Sequence, residues 1–317
     1  MSRFLVTGGA GFIGSHIVEA LVEKKHFVRV LDNFSSGRKE NLSGVAGKID
    51  LIRADIRSKE ACLRATRGID FVLHQAALRS VPKSMLHPQN YNEVNIGGIL
   101  NMLEASLANK VKRFVFASSS SVYGDTEAFP EKESFLPQPI SPYALTKLAG
   151  EYYCGIFSRH WGLPCLSLRY FNVFGERQGL DDEYAVVIPK FITCILNGER
   201  PPIYGDGYQS RDFTYVKNIV QANILAVTVK PAARGVFNIA SGKDYTVLDL
   251  VKLLNRIMAS DSRPVFLKKR PGDVLRTLAD LSHSKRFLKF RPKIDFIRGL
   301  KLTAEYFKKN AQDNSSA

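Results

Sequence analysis

Short apolar runs, rich in β-branched residues, alternate along the first half of the chain with longer stretches of helical periodicity. Arg3–Thr7 predicts a strand. Phe12–Lys24 predicts a helix with Ile13, Ile17, Ala20 and Leu21 on one face. Phe27–Leu31, Asp50–Arg53 and Asp70–His74 predict three further strands. A long helix is expected over Met85–Ala108, where Leu100, Leu103, Ala105 and Leu107 recur at helical spacing. Arg113–Ala117 reads as a strand, Pro142–His160 as a helix and Cys165–Tyr170 as a strand. Strands that are apolar throughout are covered on both faces. Separated by helices, they predict a parallel sheet, and right-handed crossovers make it doubly wound.

After about residue 172 the rhythm breaks. Pro201, Pro202, Gly205 and Gly207 crowd one stretch, and one strand-helix-strand unit returns at Phe213–Ala240. Residues 1–172, with about 213–240, are expected to form the larger α/β domain. Residues 173–212 and 241–317 are expected to form a smaller mixed α/β domain. The polar tail Ala311–Ala317 is expected to fray.

The first strand runs into Thr7-Gly8-Gly9-Ala10-Gly11-Phe12-Ile13-Gly14 and then a helix. Glycines at 8, 11 and 14 in a strand–turn–helix setting suit a dinucleotide. Positive φ and a missing Cβ let backbone N–H groups approach a pyrophosphate, and the helix N-terminus adds donors and partial positive charge. Asp32 lies 18 residues after Gly14, at the end of the second strand, where a carboxylate would hold the ribose hydroxyls of NAD. Arg38 and Lys39 lie close enough to leave NADP tolerance open. The larger domain is therefore read as a Rossmann sheet.

Tyr143 and Lys147 form the only Y-x-x-x-K in the chain, just inside a helix opened by Ser141-Pro142. Positions i and i+4 share a helical face, so the ammonium can sit beside the phenol. A nearby cation and a positive nicotinamide both favour phenolate, which would make Tyr143 a general base. A surface Tyr–Lys pair has the same spacing. The strand Phe114–Phe116 runs into a row of hydroxyls, Ser118 to Ser121, at the sheet edge where ligands bind. A plain polar loop would read the same way.

Composition is that of an ordinary globular protein: 45% hydrophobic and 24% charged residues, which excludes disordered and collagen-like chains. Charge is unusual, with 45 Lys+Arg against 30 Asp+Glu, formally +15. Such an excess points to nucleic acid, a membrane surface or an anionic small molecule. Ten Lys/Arg against two Asp fall between Arg263 and Lys293. Cys62, Cys154, Cys165 and Cys194 have no C-x-x-C spacing, and the six histidines lack ligand spacing, so no metal is expected. No apolar run approaches the roughly 18–20 residues of a membrane span. The first apolar run is too short for a signal peptide, and a reducing cytoplasm is the default location.

With these motifs in order, the chain resembles the extended short-chain dehydrogenase/reductases, and among them the nucleotide-sugar 4-epimerases. The resemblance rests on Thr7–Gly14, His74-Gln75-Ala76-Ala77, Asn95, Ser119–Gly124, Tyr143/Lys147, Tyr170–Gly175, Gly205-Asp206-Gly207, Ser210-Arg211-Asp212-Phe213 and Arg270-Pro271-Gly272-Asp273. It implies NAD as cofactor. Gly8, Gly11, Phe12, Ile13 and Gly14 would hold the pyrophosphate side, and Asp32, Asn33, Ser36 and Gly37 the adenosine side. Asp55 and Ile56 would touch adenine. Gln75, Ala76, Ala77, Asn95, Tyr143, Lys147 and Tyr170 would complete the site. Ser119 and Tyr143 would be catalytic with Lys147. The UDP-sugar would meet Arg79, Ser119, Ser120, Ser121 and Tyr143, then Asn172 and Val187. Tyr204 would lie near uracil, Arg211 and Arg270 on the pyrophosphate, Asp273 on the ribose, and Thr277 by the sugar C2 group. A homodimer through four helices is implied, made from Met85–Ala108 and Pro142–His160. Only Lys147, Arg211 and Arg270 of the basic excess face anionic ligands in this reading.

Relatives that eliminate water carry an acidic pair where Ser120 and Ser121 stand, and decarboxylating relatives carry a glutamate at the second position. Uronate epimerases usually carry Thr where Asn172 stands and Arg where Gly179 stands. The resemblance therefore implies inversion at C4 of a UDP-hexose through a 4-keto sugar. Small Thr277 admits an N-acetyl group, which favours UDP-N-acetylglucosamine and UDP-N-acetylgalactosamine, with UDP-glucose and UDP-galactose also accepted. Tyr170–Gln178 resembles N-acetylhexosamine epimerases of surface-polysaccharide pathways. UDP-glucose alone, or UDP-glucuronate, stays open. A non-catalytic NAD-sensing or nucleic-acid-binding relative is disfavoured, because both Tyr143 and Lys147 are present.

Overall fold

Four of the five residues of β1 (Arg3–Thr7) are buried, because helices cover both of its faces. The computed structural model describes residues 1–179, 187–229, 235–269 and 274–315. In chain order the next strands are β2 (Phe27–Asp32), β3 (Asp50–Arg53), β4 (Phe71–His74), β5 (Arg113–Ser119) and β6 (Cys165–Tyr170). Short strands follow at β7 (Val173–Phe174), β8 (Pro202–Tyr204), β9 (Ser210–Arg211) and β10 (Thr214–Tyr215). β11 (Gly235–Ile239), β12 (Tyr245–Thr246) and β13 (Val265–Leu267) complete them. Seven strands make one sheet in the order β11-β6-β5-β4-β1-β2-β3, and every neighbouring pair is parallel. The chain leaves β1 toward β2 on one side and returns to β4 on the other. That reversal opens a crevice at the carboxyl ends of β1 and β4.

The helices are α1 (Phe12–Glu23), α2 (Lys59–Thr66), α3 (Val81–Leu86), α4 (Pro88–Tyr91), α5 (Gly98–Ala108) and α6 (Pro142–His160). They continue with α7 (Val187–Leu196), α8 (Val216–Thr228), α9 (Val247–Met258), α10 (Ser282–Phe287) and α11 (Phe296–Ser315). Alternate residues of β1 serve opposite faces. Phe4 and Val6 pack with Ile17, Leu21, Ile219 and Ala222 of α1 and α8. Leu5 packs with Ile99, Met102, Leu103 and Phe157 of α5 and α6. A third core joins α7, α9 and α11 around Phe174, Phe213 and Phe296, with the last two rings stacked 5.1 Å apart. Among the described residues its strands form two-stranded sheets: β10-β7 and β13-β8 parallel, β12-β9 antiparallel.

Three expectations need correction. The helix over Met85–Ala108 is not continuous. α3 ends at Leu86, His87 leaves helical geometry, and Pro88 starts α4. A proline ring crowds the residue before it out of the α region, so the break falls at His87. A π-helical turn, Asn92–Gly97, then precedes α5. The unit at Phe213–Ala240 is also divided. Its first strand, β10, pairs with β7 outside the main sheet, because Asn172, at φ +31°, turns the chain away after β6. Only β11 rejoins, beside β6. Finally, the tail from Ala311 continues α11 as helix to Ser315, the helix start being seated on buried Phe296, Leu300 and Ala304, while Ser316 and Ala317 lie outside the described residues. Among the described residues no helix is long and apolar enough to cross a membrane, and no group of three or more His, Cys, Asp or Glu could hold a metal ion.

Candidate active site

A cleft follows the crevice from the glycine turn to α6. Its floor is the turn after β1. Gly8 has φ +66°, and a Cβ there would lie 2.8 Å from the amide nitrogen of Ala76 after β4. A Cβ at Gly14 would run into the Gly8 carbonyl. Any side chain at these two positions would push apart the backbone segments that pack into the tight turn. No side chain caps the α1 N-terminus at Gly11, and its first turn holds no acid. Its N–H groups therefore remain available to an anion.

Asp32 closes the adjoining wall. Its carboxylate accepts from Ala10 N (2.9 Å) and Phe34 N (2.8 Å). Burial pushes its pKa up, and these two bonds oppose the rise. Gly37 lies behind this wall rather than on it. A Cβ there would sit 2.9 Å from Asp32 Oδ1, so a glycine is what lets the loop pass. Asn33, Ser36, Asp55 and Ile56 line the same end. Asn33 Nδ2 donates to Asp55 Oδ2 (2.8 Å), and the Arg57 guanidinium holds the Asp55 carboxyl down to about 2. Arg38 lines the cleft beside Asp32; Lys39 does not.

The β4 end supplies Gln75, Ala76 and Ala77. Ala76 N donates to Thr7 Oγ1 (3.2 Å), and that hydroxyl meets His74 Nδ1 at 2.9 Å. Burial holds His74 down to about 3, so the imidazole is neutral. Gln75, Tyr170 and Asn223 form a ring of hydrogen bonds. Asn223 Nδ2 donates to the Tyr170 hydroxyl (2.8 Å), that hydroxyl to Gln75 Oε1 (3.2 Å), and Gln75 Nε2 to Asn223 Oδ1 (3.2 Å). Asn95 is not on the wall. From the π-helical turn its amide brackets the backbone of Leu78, donating to Leu78 O and accepting from Leu78 N, and it reaches Thr146 Oγ1 at 3.0 Å. Leu78 and Val94 line the cleft in its place.

The reactive end lies between β5 and α6. Ser141 caps α6 by accepting from Ala144 N (3.1 Å), and Pro142 sits in its first turn. This start places Tyr143 and Lys147 on one face toward the end of β5. Lys147 Nζ donates to Ala117 O (2.8 Å) and lies 5.8 Å from the Tyr143 ring centroid. Burial brings Lys147 down to about 7. Ser119 Oγ accepts from Ser121 N (3.2 Å) and Ser121 Oγ (2.9 Å), which leaves its own proton for the Tyr143 oxygen. Burial raises the Tyr143 pKa, and the Ser119 hydrogen bond and the Arg79 charge oppose the rise. Arg79, Tyr143 and Lys147 line the cleft. So does Ser118, whose hydroxyl donates to buried Glu151 (2.5 Å), itself paired with Arg169 at 2.7 Å. Ser120 starts the 3-10 turn Ser120–Tyr123.

The remaining predicted residues lie beyond the cleft. Asn172 Nδ2 donates to Thr277 Oγ1 (2.8 Å), and Asp212 N donates to the same oxygen (3.2 Å). The buried Asp212 carboxylate accepts from Ser241 N, Ser241 Oγ, Gly242 N and Ala279 N, and burial pushes it up to about 6. Arg211 Nη1 donates to Ser210 O (2.9 Å). Tyr204 ends β8, where its carbonyl accepts from Gln209 Nε2. Val187 opens α7 and packs on the third core. Arg270 and Asp273 lie outside the described residues. Sequence reasoning assigned no role to Asn41, Arg177 or Asn223. Asn223 left a signal, an amide that shares the buried face of α8 with Asn218. Arg177 stood inside the Tyr170–Gln178 stretch without being singled out.

The model of the NAD dependent epimerase/dehydratase family matches residues 4–240. A putative UDP-glucose 4-epimerase of Methanocaldococcus jannaschii is 37% identical over 308 residues, covering 96% of this chain and 98% of that protein. The solved UDP-N-acetylglucosamine 4-epimerase of Methanobrevibacter ruminantium, in complex with UDP-N-acetylmuramic acid, is 43% identical with a TM-score of 0.93, covering 98% of this chain and 99% of that one. The UDP-glucose 4-epimerase of Thermus thermophilus, solved with NAD, is 36% identical with a TM-score of 0.89, covering 96% and 99%. A glycine cradle that admits no Cβ, an uncapped helix end and a carboxylate beside it fit the cofactor of that family, so the chain belongs to the NAD-dependent epimerase/dehydratases and is an NAD-dependent enzyme.

Proposed function

We propose that the protein inverts C4 of UDP-hexoses, with UDP-N-acetylglucosamine and UDP-N-acetylgalactosamine as the preferred pair and UDP-glucose and UDP-galactose also accepted. One observation carries the choice of reaction. The two positions after Ser119 hold hydroxyls, and Ser121 is spent on Ser119. No carboxyl stands there to protonate a leaving hydroxyl, as elimination at C5 and C6 requires. The relay Ser121 to Ser119 to Tyr143 is suited to moving one proton at one hydroxyl.

NAD, when bound, accepts hydride from C4 and returns it. The glycine turn and the α1 N-terminus would hold its pyrophosphate, Asp32 the adenosine ribose, and Tyr143 with Lys147 the nicotinamide side. Tyr143 takes the proton of the C4 hydroxyl, with Ser119 donating its own proton to the Tyr143 oxygen. Lys147, anchored on Ala117 O, keeps positive charge beside the phenolate that forms. The pyrophosphate of the sugar nucleotide stays with Arg211 and Arg270 while the flat 4-keto sugar turns over. Tyr143 then returns its proton, and hydride arrives on the other face. Residues 1–172 with about 213–240 act as the NAD-binding domain, and residues 173–212 with 241–317 as the sugar-nucleotide domain.

Small Thr277 supports room for an N-acetyl group. Gly179 argues against a uronate, since it supplies no cation for the carboxylate, and Asn172 stands where uronate epimerases usually carry Thr. Exposed Leu145 and Tyr152 on α6, with Met85 and Leu86 on α3, support a homodimer through this side of the molecule. Sedimentation as a monomer at micromolar concentration would remove the dimer. Separate incubation with UDP-glucose, UDP-N-acetylglucosamine and UDP-glucuronate, with products identified, tests the whole reading. The expected result is C4 inversion fastest on the N-acetyl sugar, slower on UDP-glucose and absent on the uronate. Turnover of the uronate alone, or elimination products, would overturn it.

A further inference from the structure

The segment after β7 crosses the N-terminal half of α1, and four residues in succession are fixed there. Gly175, at φ +154°, lies where a Cβ would meet Val216 Cγ1 at 2.5 Å. Glu176 accepts at its carbonyl from His16 Nε2 (2.9 Å) and at its carboxylate from the Tyr215 hydroxyl (2.7 Å). Gln178 Nε2 donates back to Val173 O (3.0 Å). Between them, Arg177 has φ +65°, a backbone conformation that L side chains rarely adopt. Such a conformation persists only where its surroundings over-determine it, and it marks functional positions.

This backbone sends the Arg177 side chain to α1. Nη2 donates to Glu19 Oε1 (2.7 Å) and Nη1 to Ser15 Oγ (3.3 Å). Ser15 and Glu19 lie one turn apart, so they fix the guanidinium plane along the helix. Two of its five N–H groups are used in this way. Arg177 also lines the cleft, on the same wall as Gly11, Phe12, Ile13 and Gly14. A cation is thus held rigidly at the uncapped helix end, where a ligand anion belongs.

We propose that Arg177 is a cofactor-binding residue that supplies a fixed positive charge to the dinucleotide pyrophosphate, with Glu19 and Ser15 as the groups that aim it. A guanidinium fork matches phosphate oxygens, and a pre-aimed one loses little freedom on binding. The strap then retains the cofactor through cycles that regenerate it. This inference rests on the cleft being the NAD site and is independent of which sugar is turned over.

The test is direct binding of NADH, ADP-ribose and adenosine to the full-length protein, by fluorescence titration and competition, with no sugar nucleotide present. Arg177→Met is expected to weaken NADH and ADP-ribose alike, roughly 10- to 100-fold, as loss of a charged hydrogen-bonding partner does. Adenosine, which lacks the pyrophosphate, should change less than about twofold. Glu19→Gln should lower the melting temperature yet leave all three affinities within about threefold, because the guanidinium keeps its charge. The proposal is overturned if Arg177→Met leaves NADH binding intact, if adenosine weakens as much as ADP-ribose, or if Glu19→Gln costs as much affinity as Arg177→Met. That last result would make the pair a structural latch only.

Discussion

The side-chain amide of Asn172 donates to the hydroxyl of Thr277 across 2.8 Å and 105 residues of sequence. The backbone N–H of Asp212 donates to the same oxygen. Thr277 was expected to matter because it is small. It also fixes the Asn172 amide, and it does so through the one atom that a similarly small valine lacks.

Size and hydrogen bonding at 277 can be separated. Thr277→Val keeps the shape but leaves the Asp212 N–H unpaired, which should cost about 1–3 kcal/mol of stability. It should also lower kcat/KM for UDP-N-acetylglucosamine about tenfold, through a misplaced Asn172. Thr277→Tyr should block UDP-N-acetylgalactosamine while sparing most UDP-galactose turnover. Parent-like kinetics of the valine variant would show the hydrogen bond to be idle, and equal slowing of both sugars by tyrosine would refute the gate.

Tyr143→Phe should abolish C4 inversion, by about 10²- to 10⁴-fold or more, as removal of a general base does. NAD content and melting temperature should hold, because the ring keeps its edge contact with Tyr91, 6.5 Å between centroids. Turnover within about tenfold of the parent would require another base.

The glycine turn makes a geometric prediction. Gly14→Ala drives a methyl group into the Gly8 carbonyl and should strip NAD from the purified protein. Gly47→Ala, with nothing within 4 Å of the added atom, should leave both NAD content and stability unchanged. Normal NAD content in the Gly14 variant would mean that the turn is not the cradle.

Two buried carboxyls hold the segment that carries Thr277. Glu131 Oε2 accepts from Leu278 N (3.1 Å), and Asp212 from Ala279 N (3.3 Å). Burial pushes Glu131 up to about 8 and Asp212 up to about 6. The folded chain therefore keeps protons that the unfolded chain has released. This contribution is complete below about pH 4, and it is lost as pH rises through about 6 for Asp212 and about 8 for Glu131. Glu131→Gln keeps an acceptor for Leu278 N and cannot ionise. Its melting temperature relative to the parent should rise steadily between about pH 5 and pH 9. A difference constant with pH would contradict the assignment.

Much of this protein is written in local spacing. Apolar runs bounded by turns define the parallel sheet, since a strand covered on both faces tolerates few polar residues. Gly8, Gly14 and Asp32 are legible because one strand, one turn and one helix bring them together within about two dozen residues. Tyr143 and Lys147 are legible because four residues is about one helical turn. His87 was missed because periodicity alone does not weigh what Pro88 does to the residue before it. The rise that burial imposes on the Tyr143 pKa was not legible in spacing, because burial is a property of the packed fold.

The remainder was decided by tertiary structure. Arg177 meets Glu19 across 158 residues, Asn223 meets Tyr170 across 53, and Thr277 meets Asn172 across 105. No periodicity encodes such pairs. They form because burying a polar group without a partner is costly, so each donor must find an acceptor among whatever the completed fold places beside it. The sequence by itself determined the fold, the glycine turn beside Asp32 and the spacing that puts Tyr143 and Lys147 on one helical face. Packing decided which of the predicted residues face the cleft, which ones hold others in place, and where the rigidly aimed cation at the helix end comes from.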